Sequence, residues 1–300
     1  MSLPPLKKRR KQLDILQLIL KSLAYGSIYA LVGLGLVLIF RATAVLNFGQ
    51  GQLFTMGAYF LVTFWYMWKI PYALAFLMSI IGTALLGMVM ERVSCRPLLK
   101  APVMNSIIAT FMTGVVIYNG IQLVWGAEVY HVSPVISNKP ISVGKILFTP
   151  QDIWIVAITV FFILLVYLFL QYTKLGVAFR ATSQSKRAAS LMGVSVKRVF
   201  SLSWVMSGVL AGVSGVLLAP VLMIEVSTGW VAIKGFCAGI MGGFSIPGTI
   251  MGGFLLAAVE NIFGVYVSVA LKEMVAFLAI LAVLLIKPSG LFRIKMKKRV

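Results

Sequence analysis

The stretch YGSIYALVGLGLVLIF at residues 25–40 contains no charged side chain, and with its flanks it approaches the roughly 20 apolar residues that a membrane-spanning helix needs. The rest of the chain has the same character, since 60% of its 300 residues are hydrophobic, 11% are charged and the mean hydropathy is +1.00. Soluble domains are about 45–50% apolar and about 25% charged. The composition therefore predicts an all-α polytopic integral membrane protein. It excludes a soluble or disordered chain, and the unbroken apolar runs disfavour a membrane barrel.

Eight apolar segments follow one another along the chain, at 22–40, 45–68, 70–90, 103–125, 152–172, 201–224, 231–263 and 269–287. Two of them contain polar or glycine-rich interruptions, NFGQGQ at 47–52 and GGFSIPG at 242–248. Broken backbone at membrane depth is tolerated only where protein or a water-filled cavity satisfies its polar groups. We therefore predict two broken or re-entrant segments, placed in corresponding positions of two halves that suggest an internal repeat.

The net charge of +20 lies mainly outside the apolar segments, as the positive-inside rule requires, rather than on one face that nucleic acid would bind. The predicted cytoplasmic parts are a basic tail at 1–12, the loops 91–102 and 173–200, and a basic tail at 291–300. Between the tails lies a membrane domain at 13–290, whose proline-containing loop 126–150 reads as external with a short hairpin. With both termini cytoplasmic, each half must contain one segment that crosses twice or not at all.

Several polar side chains fall within or beside the interruptions and are candidates for a pathway through the membrane: Asn47, Gln50, Gln52, Ser245, Glu260 and Asn261. Ionisable groups inside a span are costly, and they usually face a cavity or a partner. Glu260 is compatible with proton coupling in a secondary transporter, and equally with a paired structural role. Sequence alone does not separate these two interpretations.

The loop 173–200 carries six basic residues and no acidic one, yet its centre, SQSKRAASLMG at 183–193, is rich in small and apolar residues. This pattern predicts a short amphipathic helix that ends near Gly193. It either lies on anionic lipid or docks against a partner protein. The docking residues would be Ser185, Ala188, Ala189, Leu191, Met192 and Gly193.

Motifs for catalysis are absent from the sequence. There is no GxxxxGK[ST] phosphate loop, so the chain itself has no means of binding ATP through that motif. The single histidine, His131, rules out a histidine metal cluster within this chain. We therefore expect a protein that is not an enzyme and has no cofactor or metal of its own.

The stretches YGSIYALVGLGLVLIF (25–40) and LNFGQGQLFTMGAYF (46–60) resemble the N-terminal signature of the LivH family. The resemblance continues through KLGVAFRATSQSKRAASLMGV (174–194) and KGFCAGIMGGFSIPGTIMGGF (234–254), in the same order. Members of this family are permease subunits of branched-chain amino-acid ABC importers. Permeases for urea, other amides and other amino acids look similar, so the resemblance implies import of branched-chain amino acids or of a related small amino acid or amide. One departure concerns Gln52, because the family commonly has an acidic residue at that position.

The resemblance implies a set of partners in the inner membrane of a prokaryote. These are a second related permease, two cytoplasmic ATPase subunits that bind ATP, an external or periplasmic solute-binding protein, and membrane lipid. It implies that 183–193 is the segment that couples the permease to the ATPases, and that transport proceeds by alternating access. The alternative is a stand-alone secondary transporter or channel that uses Glu260 for ion coupling.

Overall fold

The computed structural model describes residues 5–99, 101–136, 141–143, 146–268, 271–287 and 290–292, and it is built mainly of helices. The helices are α1 (Pro5–Thr43), α2 (Gln50–Leu61), α3 (Tyr72–Met90), α4 (Val103–Trp125), α5 (Pro150–Tyr172), α6 (Lys174–Gln184), α7 (Lys186–Leu191), α8 (Val196–Leu218), α9 (Val231–Met241), α10 (Ile246–Tyr266) and α11 (Met274–Ile286). Strands β1 (Ile141–Val143) and β2 (Ile146–Phe148) pair as an antiparallel hairpin, so the short hairpin predicted within 126–150 is confirmed.

The described helices have the lengths and the apolar composition of membrane spans. Six of them, within α1, α3, α4, α5, α8 and α10, are long and apolar enough to cross a bilayer. A 23-residue helix is about 35 Å long, which exceeds the roughly 30 Å hydrocarbon core. The prediction of an all-α polytopic membrane protein is therefore confirmed.

Helices α1 and α8 form the centre of the bundle, and small residues allow their neighbours to approach closely. An added Cβ at Gly57 of α2 would lie 2.7 Å from the Cα of Gly212 in α8. An added Cβ at Gly33 of α1 would lie 2.7 Å from the carbonyl oxygen of Gly235 in α9. Backbone contacts of this kind are how helices associate where lipid removes the hydrophobic driving force.

Side-chain contacts define two ends of the bundle, which we call the loop end and the hairpin end. The loop end carries residues 173–200, where Lys186 Nζ donates to the carbonyl oxygen of Thr43 at 2.7 Å. Glu91 reaches the same end, since its Oε2 accepts from Ser201 Oγ at 3.0 Å near the start of α8. The hairpin end carries β1 and β2, and β2 packs against α1. Glu91 and residues 173–200 therefore lie at the same end of the bundle.

Helix directions explain how the apolar segments cross the bundle. Segment 231–263 is broken as predicted, because α9 runs toward the loop end and α10 returns from it after the turn at 242–245. The backbone N–H of Leu291 donates to the carbonyl oxygen of Met241 at 2.8 Å, which places residues 290–292 at the loop end. Within the described residues, the second half therefore contains four apolar helices that alternate in direction, and its segment 231–263 holds two of them, α9 and α10.

The first half differs from the prediction. Segment 45–68 crosses once, as α2 and the π-helical turn Val62–Met67 that continues it, so α1, α2 and α3 make three crossings before residue 91. The N-terminal end of α1 therefore lies at the hairpin end of the bundle, opposite Leu291, whereas the sequence predicts both termini on one side. The predicted tail 1–12 is also helical from Pro5, whereas residues 1–4 and 293–300 of the two tails lie outside the described residues.

The two halves of the bundle have corresponding contacts. Helix α1 packs most extensively on α10 and also on α9, while α8 packs most extensively on α3 and also on α2. Helix α1 runs toward the loop end and α8 runs away from it. The set α1–α4 therefore corresponds to the set α8–α11 in the opposite orientation, which is the arrangement of an inverted repeat.

Candidate functional site

A cavity of about 640 Å³ lies between α2, α4, α9 and α11. Its walls combine aromatic and aliphatic side chains with a few amide and hydroxyl groups, and none of its lining residues is charged. The predicted pathway residues Asn47, Gln50 and Gln52 all line this cavity. Ser245, Glu260 and Asn261 do not line it.

Gln50 lies at the centre of a hydrogen-bonded amide cluster at the start of α2. Its Oε1 accepts from Asn47 Nδ2 at 3.1 Å and from Ser207 Oγ of α8 at 2.8 Å. Asn47 Oδ1 accepts from the backbone N–H of Gly49 at 3.0 Å, which closes the turn before the helix. Gly49 has no room for a side chain, since an added Cβ would lie 2.6 Å from Met90 and 2.9 Å from the carbonyl oxygen of Thr110.

Two amide atoms of this region have no hydrogen-bond partner in the described part of the chain. They are Gln50 Nε2, a donor, and Gln52 Oε1, an acceptor, and both are buried. Gln50 itself is only 1% exposed. A buried polar group without a partner costs about 1–3 kcal/mol, so the described chain leaves the amides of Gln50 and Gln52 incompletely satisfied. Gln50 Nε2 lies beside α1, since an added Cβ at Gly35 would lie 2.7 Å from it.

The opposite wall comes from the 3₁₀ turn Val226–Trp230, which leads into α9. Ser227, Gly229 and Trp230 line the cavity there. An added Cβ at Gly51 would lie 2.5 Å from the carbonyl oxygen of Gly229, so the two short helices meet by backbone where each begins. Sequence reasoning missed this wall. The available signal was a polar, glycine-containing stretch (EVSTGW, 225–230) before an apolar run, as in NFGQGQ before α2.

Four phenylalanine rings run from the cavity toward the loop end, and we call them the phenylalanine row. The rings of Phe48 and Phe236 line the cavity, with centroids 6.0 Å apart. The ring centroids of Phe236 and Phe244 are 6.3 Å apart, and those of Phe244 and Phe40 are 4.5 Å apart. Because Phe40 belongs to α1 and Phe244 to the turn 242–245, the row joins the two chain reversals at the loop end.

Glu260 lies in a separate buried cluster, in which Lys234 and Tyr29 are its partners. Lys234 Nζ lies 3.2 Å from its Oε1, and the hydroxyl of Tyr29 donates to its Oε2 at 2.8 Å. The carboxylate is 1% exposed and has no place among the residues that line the cavity. This geometry supports the structural interpretation of Glu260, in which one ion pair and one hydrogen bond fasten α10 to α9 and α1.

The other two predicted pathway residues also have local structural roles. Ser245 caps α10, because its Oγ accepts from the backbone N–H of Gly248 at 3.2 Å and donates to the carbonyl oxygen of Gly242 at 2.8 Å. Asn261 Nδ2 donates to Ser22 Oγ of α1 at 2.9 Å. The hydrogen bonds of Ser245 cap α10, and the hydrogen bond of Asn261 connects α10 to α1. Neither residue lines the cavity.

The predicted segment 183–193 contains a helix, the six-residue α7. Ser185 is its N-cap and accepts from the backbone N–H of Ala188 at 3.2 Å. Ala189 is buried against the chain itself, whereas Leu191 and Met192 are 81% and 84% exposed. Gly193 ends the helix with a φ of +79°, and nothing lies within 4 Å of the position its Cβ would occupy. The apolar surface available to a partner is therefore Leu191 and Met192, with the exposed Ala188 beside them.

Comparison with known proteins places this arrangement in a family. Residues 18–284 match the family model described as the permease component of the branched-chain amino acid transport system. The chain belongs to this permease family. It is 28% identical over 297 residues to the high-affinity branched-chain amino acid permease LivH of Escherichia coli (strain K12), covering 93% of this chain and 96% of that protein.

Two further comparisons cover most of the chain. The chain is 30% identical to the probable branched-chain amino acid transport permease LivH of Methanocaldococcus jannaschii, covering 92% of each protein. A solved structure of PsaBC from Streptococcus pneumoniae in complex with Fab aligns with 91% of this chain and 92% of that one, at a TM-score of 0.49 and 11% sequence identity. The family membership confirms the resemblance read from the sequence, and it identifies the chain as a multi-pass membrane permease subunit of an ABC importer.

Proposed function

We propose that this chain forms one half of a channel through which branched-chain amino acids move inward. The observation that carries the proposal is the cavity, whose lining has no charged residue and includes the side-chain amides of Asn47, Gln50 and Gln52. A zwitterionic amino acid has no net charge, so its passage requires no opposite charge in the wall. A side-chain amide can both donate and accept a hydrogen bond, so it can pair with the carboxylate or with the ammonium of such a solute.

The apolar part of the wall suits the side chain of such a solute. Leu36, Phe111, Val115, Phe236 and Ile280 face the cavity. Aliphatic side chains gain about 25 cal/mol for each Å² of apolar area that leaves water. The volume of about 640 Å³ lies within the range of small-molecule sites, roughly 300–1,000 Å³, and it leaves room for water beside a small amino acid.

A second permease is needed to complete the channel. The cavity opens between α4 and α11, where the helices expose large apolar side chains, and the amides of Gln50 and Gln52 lie in its wall. Polar groups at membrane depth face protein or water and not lipid. We propose that a related permease covers this opening, so that the solute passes between two such chains.

The loop end is the cytoplasmic side in this proposal. Loop 173–200 brings six basic residues to that end, and Arg92 and Arg96 follow α3 there, as the positive-inside rule requires. The C-terminal residues 290–292 are then cytoplasmic, and the N-terminal end of α1 is external. Two ATPase subunits bind ATP on the cytoplasmic side and contact Leu191 and Met192, and a solute-binding protein delivers the amino acid at the hairpin end.

The experiment is uptake by proteoliposomes that contain this permease with its second permease, its ATPases and its binding protein. We expect leucine, isoleucine or valine to enter only when ATP is supplied to the ATPase side. A double variant, Leu191→Ser with Met192→Ser, removes the exposed apolar surface of α7 without changing any buried residue. It should release the ATPase subunits during purification.

Met223→Ser is the matched control, since this methionine is 67% exposed near the end of α8 that faces the hairpin. The control should keep both the ATPases and the uptake. Uptake that needs a proton gradient and no ATP would contradict the importer and favour a secondary transporter. An ATPase complex that survives the double variant unchanged would show that α7 is not the docking segment.

A further inference from the structure

Lys186 connects the predicted docking helix to the wall of the cavity. It is the first residue of α7, directly after the Ser185 cap, and its Nζ donates to the carbonyl oxygen of Thr43 at 2.7 Å. Thr43 is the last residue of α1, 143 positions earlier in the chain. The final carbonyls of a helix have no partner within the helix, and a cation there also interacts favourably with the helix dipole.

The ammonium of Lys186 contacts both a carbonyl oxygen and an aromatic ring. Besides its bond to Thr43, it lies 5.3 Å from the centroid of the Phe200 ring in α8. Partial withdrawal from water lowers the pKa of Lys186 below its ordinary value. Arg187, the next residue, makes no such contact with α1 in the described part of the chain. Lys186 therefore joins α7, α1 and α8 at a single point.

The turn that follows Thr43 leads directly to the amide cluster. Thr43 Oγ1 donates to the carbonyl oxygen of Ile39 at 2.8 Å and accepts from the backbone N–H of Val45 at 3.1 Å, which fixes the end of α1. Ala44 has a φ of +59°, a left-handed conformation that an alanine rarely adopts. Asn47 and Gln50 follow directly after this turn in the chain. The position of the end of α1 therefore determines where the cavity amides lie.

We propose that Lys186 is a positioning residue that transmits the movement of α7 to the cavity through the carbonyl group of Thr43. The inference rests on the proposed function, in which ATPase subunits move α7. A displacement of α7 either carries the end of α1 with it or breaks the bond and frees the carbonyl of Thr43. In both cases the turn 44–49 changes position, and the side-chain amide of Gln50 moves with it.

The test uses Lys186→Met in the assembled complex, because methionine keeps an unbranched apolar stem and loses the ammonium. Arg187→Met is the matched control, and Lys186→Arg retains a cationic donor that can reach the same carbonyl. We expect Lys186→Met to keep the ATPase subunits and most of the ATP hydrolysis. The solute imported per ATP hydrolysed should fall about tenfold, within the usual range of coupling between two sites. Lys186→Arg should recover part of this ratio, and Arg187→Met should leave it unchanged.

A second measurement does not depend on uptake. Val115→Cys places a thiol in the cavity wall, on a background in which Cys95 and Cys237 are replaced by alanine. We expect ATP to change the labelling rate of this thiol in the parent complex and not in the Lys186→Met complex. The same ATP response in both complexes, or uptake and hydrolysis that fall in equal proportion, would overturn the proposal. Loss of ATP-driven uptake in the parent would instead contradict the proposed function.

Discussion

Two buried polar clusters, one around Gln50 and one around Glu260, differ in whether they line the cavity. The carboxylate of Glu260 has an ion pair at 3.2 Å and a hydrogen bond at 2.8 Å, and it lies away from the cavity. The amide of Gln50 accepts two hydrogen bonds on Oε1, and Gln50 lies in the cavity wall. The charged group therefore connects helices, and the neutral amide belongs to the wall. The comparison teaches that position in the cavity wall, rather than charge, marks the site.

The largest effect that separates the two clusters is expected from Glu260→Ala. It leaves Lys234 in the bundle without its carboxylate, and breaking a buried ion pair on one side costs about 3 kcal/mol or more. We expect a large drop in the thermal stability of the purified protein, and uptake that falls only as the amount of folded protein falls. The measurements are thermal unfolding in detergent and uptake per folded molecule.

Two further variants make the interpretation of that result clear. Glu273→Ala, which removes an exposed carboxylate before α11, should change neither quantity. Lys234→Met combined with Glu260→Leu removes both charges and should recover most of the stability, as in other buried pairs replaced by apolar residues. If Glu260→Ala stays folded and its uptake disappears, the carboxylate acts in transport itself, and the contrast between the two clusters is lost.

An intermediate effect is expected from Gln50→Met, and it should fall on transport. The variant removes the side-chain amide from the cavity wall, and a hydrogen bond to a charged solute group is worth about 1.5–3 kcal/mol, so uptake should fall about tenfold or more. Ser207→Ala is the matched control, since it removes one partner of Gln50 and keeps the amide in the wall. It should lower uptake far less. Equal uptake in Gln50→Met and the parent would show that this amide does not meet the solute.

The smallest effect is expected from Asn261→Ala, which removes one paired amide beside Glu260. Hydrogen bonds between helices in membranes contribute about 0.6 kcal/mol on average. We expect a small decrease in thermal stability and unchanged uptake per folded molecule. The same two measurements check it, with Ser22→Ala removing the other member of the pair. A transport defect in either variant at normal stability would mean that the polar groups of α10 belong to the pathway.

The long apolar runs made most of the fold predictable from the sequence. Run length and the absence of charge are local properties, so the spans, the loops and the break at 242–248 could be located by inspection. The polar stretch 47–52 could also be located as an interruption, and α2 begins within it beside the cavity. The end of the bundle at which α1 begins was not predictable from the sequence. It depends on whether segment 45–68 crosses the bundle, and a basic tail alone does not decide this.

The pairing of the candidate residues was the part that sequence could not supply. Glu260 meets Tyr29, which lies 231 positions away, and only the packing of α10 on α1 brings them together. The sequence favoured Ala189 as part of a docking face, yet the fold turns it inward and leaves Leu191 and Met192 outside. A six-residue helix has too few turns for a periodicity that would identify its buried side.

The phenylalanine row has a consequence for the membrane as an electrical insulator. An energised membrane maintains an ion gradient, and a water-filled passage through a permease at rest would dissipate it. Apolar constrictions exclude water and so block ions without any moving charge. The rings of Phe40, Phe244, Phe236 and Phe48 extend this kind of surface from the cavity toward the loop end. A leak current through the resting complex is therefore the quantity that smaller side chains in this row should raise.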